Sequence, residues 1–365
     1  MFACGTNGGR GMFLETVYCE LFEFYIIMDS VRIISPGRVE LAEVDMPLLR
    51  PGFILLKVRF VGFCGSDLNT FKGLNPLVRL PIVPGHEIGA VIEAVADDVP
   101  AHLQAGMSVT VNPYTECGFC PACQNGRPNA CEWNETLGVQ RNGAMQEFIL
   151  VPWVKVIPDA SLSVRELALV EPLSVGFHAI NRANITQQDT VLVIGCGMIG
   201  IGAIIHAVNR GARVIVADVD DNKLQLAKQL WAVYGINTLK ENLHERVGEI
   251  TEKRGADVVV EAVGCPETYL SAIAEVAFTG RVAFIGYAKE KVPFDTSQFV
   301  KKELNIMGSR NAMPHDMKEV IEYLKQGICP VDELVSAVYK PEEAQIALEK
   351  WDENPGNFFR ILIQF

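Results

Sequence analysis

From Val31 to about Val156, apolar and polar residues alternate in short runs broken by Gly and Pro: FILLKVRFVGF, GAVIEAVA, SVTVNPY and EFILVP. A period of two puts successive side chains on opposite faces of a strand, so this stretch predicts an all-β unit, a sandwich or partly open barrel. The texture changes near Ser163, where RELALVEPLSVGFHAINRAN has helical spacing. VLVIG, RVIVAD, DVVVEAVG, RVAFIGY and ELNIMGS follow as near-continuous apolar runs, most of them separated by helical segments such as GIGAIIHAVNR, DDNKLQLAKQL and PETYLSAIAEVA. Apolar strands alternating with helices predict a parallel, doubly wound sheet, which places the chain in the α/β class. Beyond Asn311 the pattern predicts a helix near His315–Gln326, two short strands, and a helix near Pro341–Trp351.

Composition changes this picture little. The 365 residues are enough for about two domains of ~150 residues. A formal charge of −12 argues against nucleic acid and anionic membranes as partners, because both repel an acidic surface. No uncharged apolar run reaches the ~18 residues of a membrane span. Residues 1–27 are Gly-rich and then aromatic, and Glu15, Glu20 and Glu23 interrupt the apolar part as no secretory signal allows. They read as an N-terminal extension ahead of a domain that opens at Met28. The ten cysteines, without such a signal, fit metal thiolates in a reducing cytoplasm better than a disulfide framework.

Two motifs carry chemistry by spacing alone. Gly195, Gly197 and Gly200 in GCGMIG stand at G-x-G-x-x-G, with Met198 and Ile199 between the last two, after a predicted strand and at the start of a helix. There Gly195 permits a tight turn, Gly197 lets backbone approach a pyrophosphate, and Gly200 allows close helix–strand packing. Asp218 ends the next strand, 18 residues beyond Gly200, where a carboxylate accepts from both ribose hydroxyls and repels a 2′-phosphate; no Arg follows in VDDNK, so NAD is preferred over NADP. Cys196, inside the loop, reads as a small packing residue. Cys117, Cys120, Cys123 and Cys131 form a C-x2-C-x2-C-x7-C set. Four thiolates close a tetrahedral zinc site or hold an iron–sulfur cluster; the short, polar, turn-rich loop favours a structural zinc.

A third group is dispersed. Cys64 lies on a Gly turn, His86 and Glu87 in VPGHEIG, and Glu171 in LVEPLSVGFHA, too far apart for spacing to make them a motif. They gain meaning from resemblance. From about Val31 to Phe365 the sequence resembles the zinc-dependent medium-chain dehydrogenases, and within them the polyol and sugar-acid branch (sorbitol, galactitol, threonine, L-galactonate or L-gulonate dehydrogenases). CGSDLNTFKG, PGHE, the CGFCPAC lobe, VEPLSVGFHA, GCGMIG with Asp218, and KKELNIMGSRNAMP carry it.

The resemblance implies a GroES-like β-barrel catalytic domain at 28–171 and 313–365 and a Rossmann domain at 172–312, with a cleft between them. It implies a catalytic zinc held by Cys64 and His86, with Glu87 or Glu171 completing the set, and Asp67 orienting His86. Ser66 is expected to take the alcohol proton as a secondary alcohol passes its hydride to NAD. Many relatives have His three residues after that Ser; here Asn69 stands instead and cannot titrate near neutral pH. Asn69, Phe71, Asn75, Tyr114 and Arg310 are candidate substrate contacts, Arg310 as a fork for a carboxylate. A threonine-type amino-alcohol dehydrogenase is the alternative activity, and a non-catalytic dinucleotide-binding protein the alternative outside enzymes. The resemblance also implies a homodimer or homotetramer, with GRVAFIGY as a strand that pairs across a subunit edge.

Overall fold

The computed structural model describes residues 26–365; most of the expected N-terminal extension, residues 1–25, lies outside the described residues. The chain opens with an antiparallel ribbon, β1 (Ile27–Ser35) and β2 (Arg38–Asp45). β3 (Phe53–Phe63) is the spine of the first sheet. It pairs antiparallel with β4 (Glu87–Val95) along one edge and with β6 (Phe148–Pro152) over its first half. β5 (Ser108–Val111) and β7 (Val156–Pro158) continue the sheet beyond β4. The alternation in the sequence is real: Ile54, Leu56, Val58 and Val61 of β3, with Ile88, Ala90 and Ile92 of β4, are all at most 1 % exposed and fill one core.

The helical stretch after Ser163 is broken. A turn at Val164–Leu167 stops, and a helix restarts at Val170 because Pro172 has no N–H to donate and fits only a first turn. The expected domain boundary at 171/172 therefore falls inside this helix.

Six parallel strands follow: β8 (Thr190–Ile194), β9 (Arg213–Asp218), β10 (Tyr234–Asn237), β11 (Ala256–Glu261), β12 (Val276–Phe284) and β13 (Asn305–Gly308). Their spatial order is β10-β9-β8-β11-β12-β13, that of a doubly wound dinucleotide fold, with the chain reversing direction between β8 and β11. GRVAFIGY is not an edge: β12 is flanked by β11 and β13, and the exposed edges are β10 and β13. The last pair, β14 (Val335–Tyr339) and β15 (Arg360–Gln364), returns to the first sheet, where β15 runs antiparallel to β3. The molecule thus combines a GroES-like β-barrel with a Rossmann sheet. Among the described residues no helix is long and apolar enough to cross a membrane.

Four helices place the chemistry: α1 (Gly65–Phe71), α2 (Val170–Arg182), α3 (Met198–Asn209) and α4 (Pro314–Leu324). α2 and α3 touch backbone to backbone. A Cβ on Gly176 would stand 2.3 Å from the Ala203 nitrogen, and one on Gly202 2.4 Å from the Leu173 oxygen. The helix that carries Glu171 is thereby locked to the helix that the glycine loop opens.

Candidate metal and dinucleotide sites

The four-cysteine loop gathers its sulfurs into one cluster. Sγ separations are 3.6 Å for Cys120–Cys123, 3.8 Å for Cys120–Cys131 and 4.0 Å for Cys117–Cys123. A tetrahedron of thiolates at the usual Zn–S length of about 2.3 Å has edges of about 3.8 Å. Disulfide bonding requires about 2.05 Å, and an iron–sulfur cluster divides its four thiolates among two or four irons, which spreads the set further. The donor set fits a single zinc. Amide hydrogens already point at the sulfurs: those of Cys117 and Trp133 at Cys131, and that of Cys120 at Cys117, each at 3.3 Å. Amides of Cys123 and Glu132 hold the Cys120 thiol down at about 6, while burial lifts Cys123 to about 11.

The dispersed residues also converge. Ligand atoms of Cys64, His86 and Glu87 lie within 4.8 Å of one another. Cys64 caps α1, its amide donating to Asp67 Oδ2 at 2.8 Å, so the thiol leaves the end of β3 at a helix start. His86 and Glu87 sit where the PGHE turn enters β4. Gly85 makes that turn with φ +99°, a region costly for any other residue, and a Cβ there would meet Val61 at 2.5 Å. Gly62 on the neighbouring strand leaves the space that the Glu87 carboxylate fills; a Cβ at 62 would stand 2.0 Å from Oε2.

The electrostatics are those of a site built around a cation. His86 Nδ1, Glu87 Oε1, Asp67 Oδ1 and Ser66 Oγ are buried without a hydrogen-bond partner. Orphaned polar atoms at this density are expensive unless something satisfies them, and a metal ion would satisfy several at once. Burial pushes the Cys64 thiol up, but its hydrogen bond and attraction to His86 more than offset that and hold it below the ordinary thiol range. Burial drives the Glu87 carboxyl well above the carboxylate range, opposed by Arg360. Arg360 is a residue that sequence reasoning missed. Its Nε lies 3.1 Å from Glu87 Oε2 and its Nη1 donates to the Phe63 carbonyl at 2.5 Å. The only signal was a lone Arg in the apolar tail FFRILIQF.

Of the two acids expected to complete the set, Glu87 is in the cluster. Glu171 stands beside it, with Oε1 held by the Tyr114 hydroxyl. Tyr114 is buried, with its hydroxyl placed to position Glu171. Asp67 bonds the Cys64 amide, and no hydrogen bond joins it to His86, contrary to the expected orienting contact. Phe71 packs in the barrel core. Asn75 is spent on the α1 turn, donating to the Ser66 carbonyl at 3.3 Å and Thr70 Oγ1 at 3.1 Å. Asn69 accepts from Lys289, in the loop after β12, at 3.3 Å, a contact that ties α1 to the parallel sheet. Arg310 donates to the Cys131 carbonyl at 3.3 Å and lines a different cavity, which includes neither Cys64 nor His86.

The glycine loop follows β8. Gly195 has φ +96°, open space lies where a Cβ of Gly197 would point, and a Cβ on Gly200 would strike the Gly195 oxygen at 1.8 Å. An uncrowded backbone at a helix N-terminus suits a pyrophosphate. Met198 and Ile199 form the first turn of α3, and Cys196 is fully buried. Asp218 at the end of β9 reaches back to the loop: Oδ2 accepts from the Cys196 amide at 2.6 Å and Oδ1 from the Asp220 amide at 3.0 Å. It shapes the loop, a role that the motif alone does not state.

Two family models match the chain: alcohol dehydrogenase GroES-like domain over residues 50–161 and zinc-binding dehydrogenase over 199–326. An uncharacterised zinc-type alcohol dehydrogenase-like protein of Haemophilus influenzae is 35% identical over 333 residues, covering 90% of this chain and 96% of its own. L-galactonate-5-dehydrogenase of Escherichia coli is 32% identical over 305 residues, covering 84% and 89%. Among solved structures, the alcohol dehydrogenase RspB of E. coli CFT073 in complex with NADH superposes with a TM-score of 0.86 at 27% identity, covering 93% of this chain and 99% of its own. This chain belongs to the zinc-type, GroES-like alcohol dehydrogenase family and is an enzyme of that family.

Proposed function

We infer that the chain oxidises a secondary alcohol of a polyol or sugar acid, with zinc and NAD, and that L-galactonate or L-gulonate is the leading substrate. The observation that carries this reading is the cluster of Cys64, His86 and Glu87 with its unsatisfied buried atoms, on elements tied to the glycine-loop helix. The similarity to L-galactonate-5-dehydrogenase supports the substrate class, and the RspB structure with NADH supports the cofactor. Cys64, His86 and Glu87 would hold the catalytic zinc, with Glu171 beside them; Cys117, Cys120, Cys123 and Cys131 would hold a structural one.

When bound, zinc would supply polarisation of the alcohol oxygen and the dinucleotide would supply the hydride acceptor. The chain's own residues do the rest. Ser66 Oγ, buried without a partner, takes the hydroxyl proton and passes it outward. Asn69 cannot carry that proton onward, so the relay leaves through water or another group. Arg360 balances Glu87, Tyr114 fixes Glu171, and Asp218 sets the loop that receives the pyrophosphate. The division into a catalytic part (28–171 and 313–365) and a dinucleotide part (172–312), and assembly as a dimer or tetramer, belong to the same reading.

A screen of polyols, aldonates and threonine with NAD, followed by NADH absorbance, tests it. Turnover of an aldonate or polyol above threonine is expected. Turnover of threonine alone would move the enzyme to the amino-alcohol class.

A further inference from the structure

A second polar cavity of about 360 Å³ lies between the four-cysteine loop, the C-terminal half of α2 and the start of α4, and shares no lining residue with the cluster around Cys64 or with the glycine loop. Its wall carries Arg127, Arg182, Arg310, His178 and His315 and no carboxylate. In a chain of net charge −12, that imbalance calls for a cause. The arginines that form ion pairs among the described residues are Arg165, Arg210, Arg246, Arg281 and Arg360. None of the three in this cavity does. Arg182 Nε donates only to the Gly308 carbonyl, at 2.6 Å, and Arg310 Nη1 only to that of Cys131. Burial, and then the neighbouring Arg127 guanidinium, hold Arg182 below its ordinary range.

The floor of the cavity supplies an independent observation. Asn129 is 6% exposed. Its Nδ2 donates to the Arg310 carbonyl at 2.7 Å and faces His178 Nε2 at 3.0 Å. The carbonyl contact fixes which end of the amide is nitrogen, so the buried atom left without a partner is the oxygen, Oδ1. An accepting Nε2 puts the His178 proton on Nδ1, where it donates to Asp316 Oδ2 at 2.8 Å. Glu319 accepts from Asn181, a residue of the cavity wall, at 2.7 Å, and Asp316 is fully buried behind His178. The Asp316 carboxylate is already bonded by Asn181 and the Met313 amide, at 2.8 and 2.7 Å. The C-terminal end of α2 opposes an anion with about half a negative charge, against three guanidiniums.

The geometry points to a binding site for inorganic hydrogen phosphate, its oxygens held by Arg127, Arg182 and Arg310 and its hydroxyl donating to Asn129 Oδ1. Guanidinium forks match a tetrahedral oxyanion, and an orphaned acceptor within a ring of cations selects an anion that keeps a proton. Sulfate has none at neutral pH. A phosphate ester loses its last proton above about pH 6, whereas inorganic phosphate retains one. This site stands apart from the reaction proposed above.

Isothermal titration calorimetry of the zinc-replete protein with inorganic phosphate tests the site, with NADH present to fill the glycine loop. One phosphate per subunit is expected, with sulfate at least tenfold weaker. Arg127→Gln removes a side chain that makes no bond in the structure, so the fold is preserved, and it should weaken phosphate about tenfold or more, as expected for a lost charge-assisted hydrogen bond. Arg182→Gln should do the same, and Arg165→Gln, a surface control, should bind as wild type. No heat with phosphate, equal affinity in Arg127→Gln and wild type, or sulfate as tight as phosphate would each overturn the proposal.

Discussion

Arg360→Met is the sharpest structural perturbation available at the candidate catalytic site. Arg360 is 3% exposed and Glu87 0%, so the pair sits wholly out of water. Replacing one partner of a buried pair strands the other charge, at a cost of about 3–5 kcal/mol. The lost bond to the Phe63 carbonyl accounts for about 1 kcal/mol of that. Glu87→Gln in the same background removes the stranded charge. The double variant should then lie only about 1–2 kcal/mol below wild type, which makes it about 2–3 kcal/mol more stable than Arg360→Met alone. Urea unfolding of all four proteins, followed by Trp fluorescence, measures this. A chelator keeps any metal from sharing Glu87, and the loss of the ion in the cysteine loop is common to the four proteins and cancels. A double variant as unstable as Arg360→Met alone would refute the claim that the ion pair holds Glu87 in place.

Two further outcomes are expected. Asp218→Ala should raise the KM for NAD by about tenfold or more and narrow the preference over NADP, because Asp218 both shapes the loop and repels a 2′-phosphate; an unchanged preference removes it from cofactor choice. His206 stacks on Phe177 at 4.2 Å, and burial pushes it down to about 4. The unfolded chain takes up this proton near pH 6.5 and the folded one near 4, so stability falls as pH drops through that window. His206→Gln should flatten the pH dependence of the urea midpoint between 6.5 and 4, and an undiminished slope would assign it to other groups.

The sequence spoke most clearly where chemistry is local. The cysteine loop and the glycine loop each fit within about fifteen residues, so spacing alone predicted their geometry. Cys64, His86 and Glu171 span more than a hundred residues, and only resemblance to known dehydrogenases linked them. Arg360 was invisible because its partners, Phe63 and Glu87, are brought to it by the pairing of β15 with β3 and of β3 with β4 and not by sequence. Phe71 and Arg310 lie within motifs of the family, and Arg310 offered a fork for a carboxylate, yet one fills the core and the other turns to a separate cavity. The place of β12 between β11 and β13 was likewise decided by tertiary packing, whereas the break before Pro172 follows from that residue's missing N–H.

Metal content per subunit tests the central claim most directly. Purified wild-type protein should carry two zinc ions. Cys64→Ser should keep one, still bind NADH and turn over no alcohol, because the ion in the cysteine loop is independent of Cys64. One zinc in the wild type, or two in an active Cys64→Ser protein, would contradict a catalytic metal held by Cys64, His86 and Glu87.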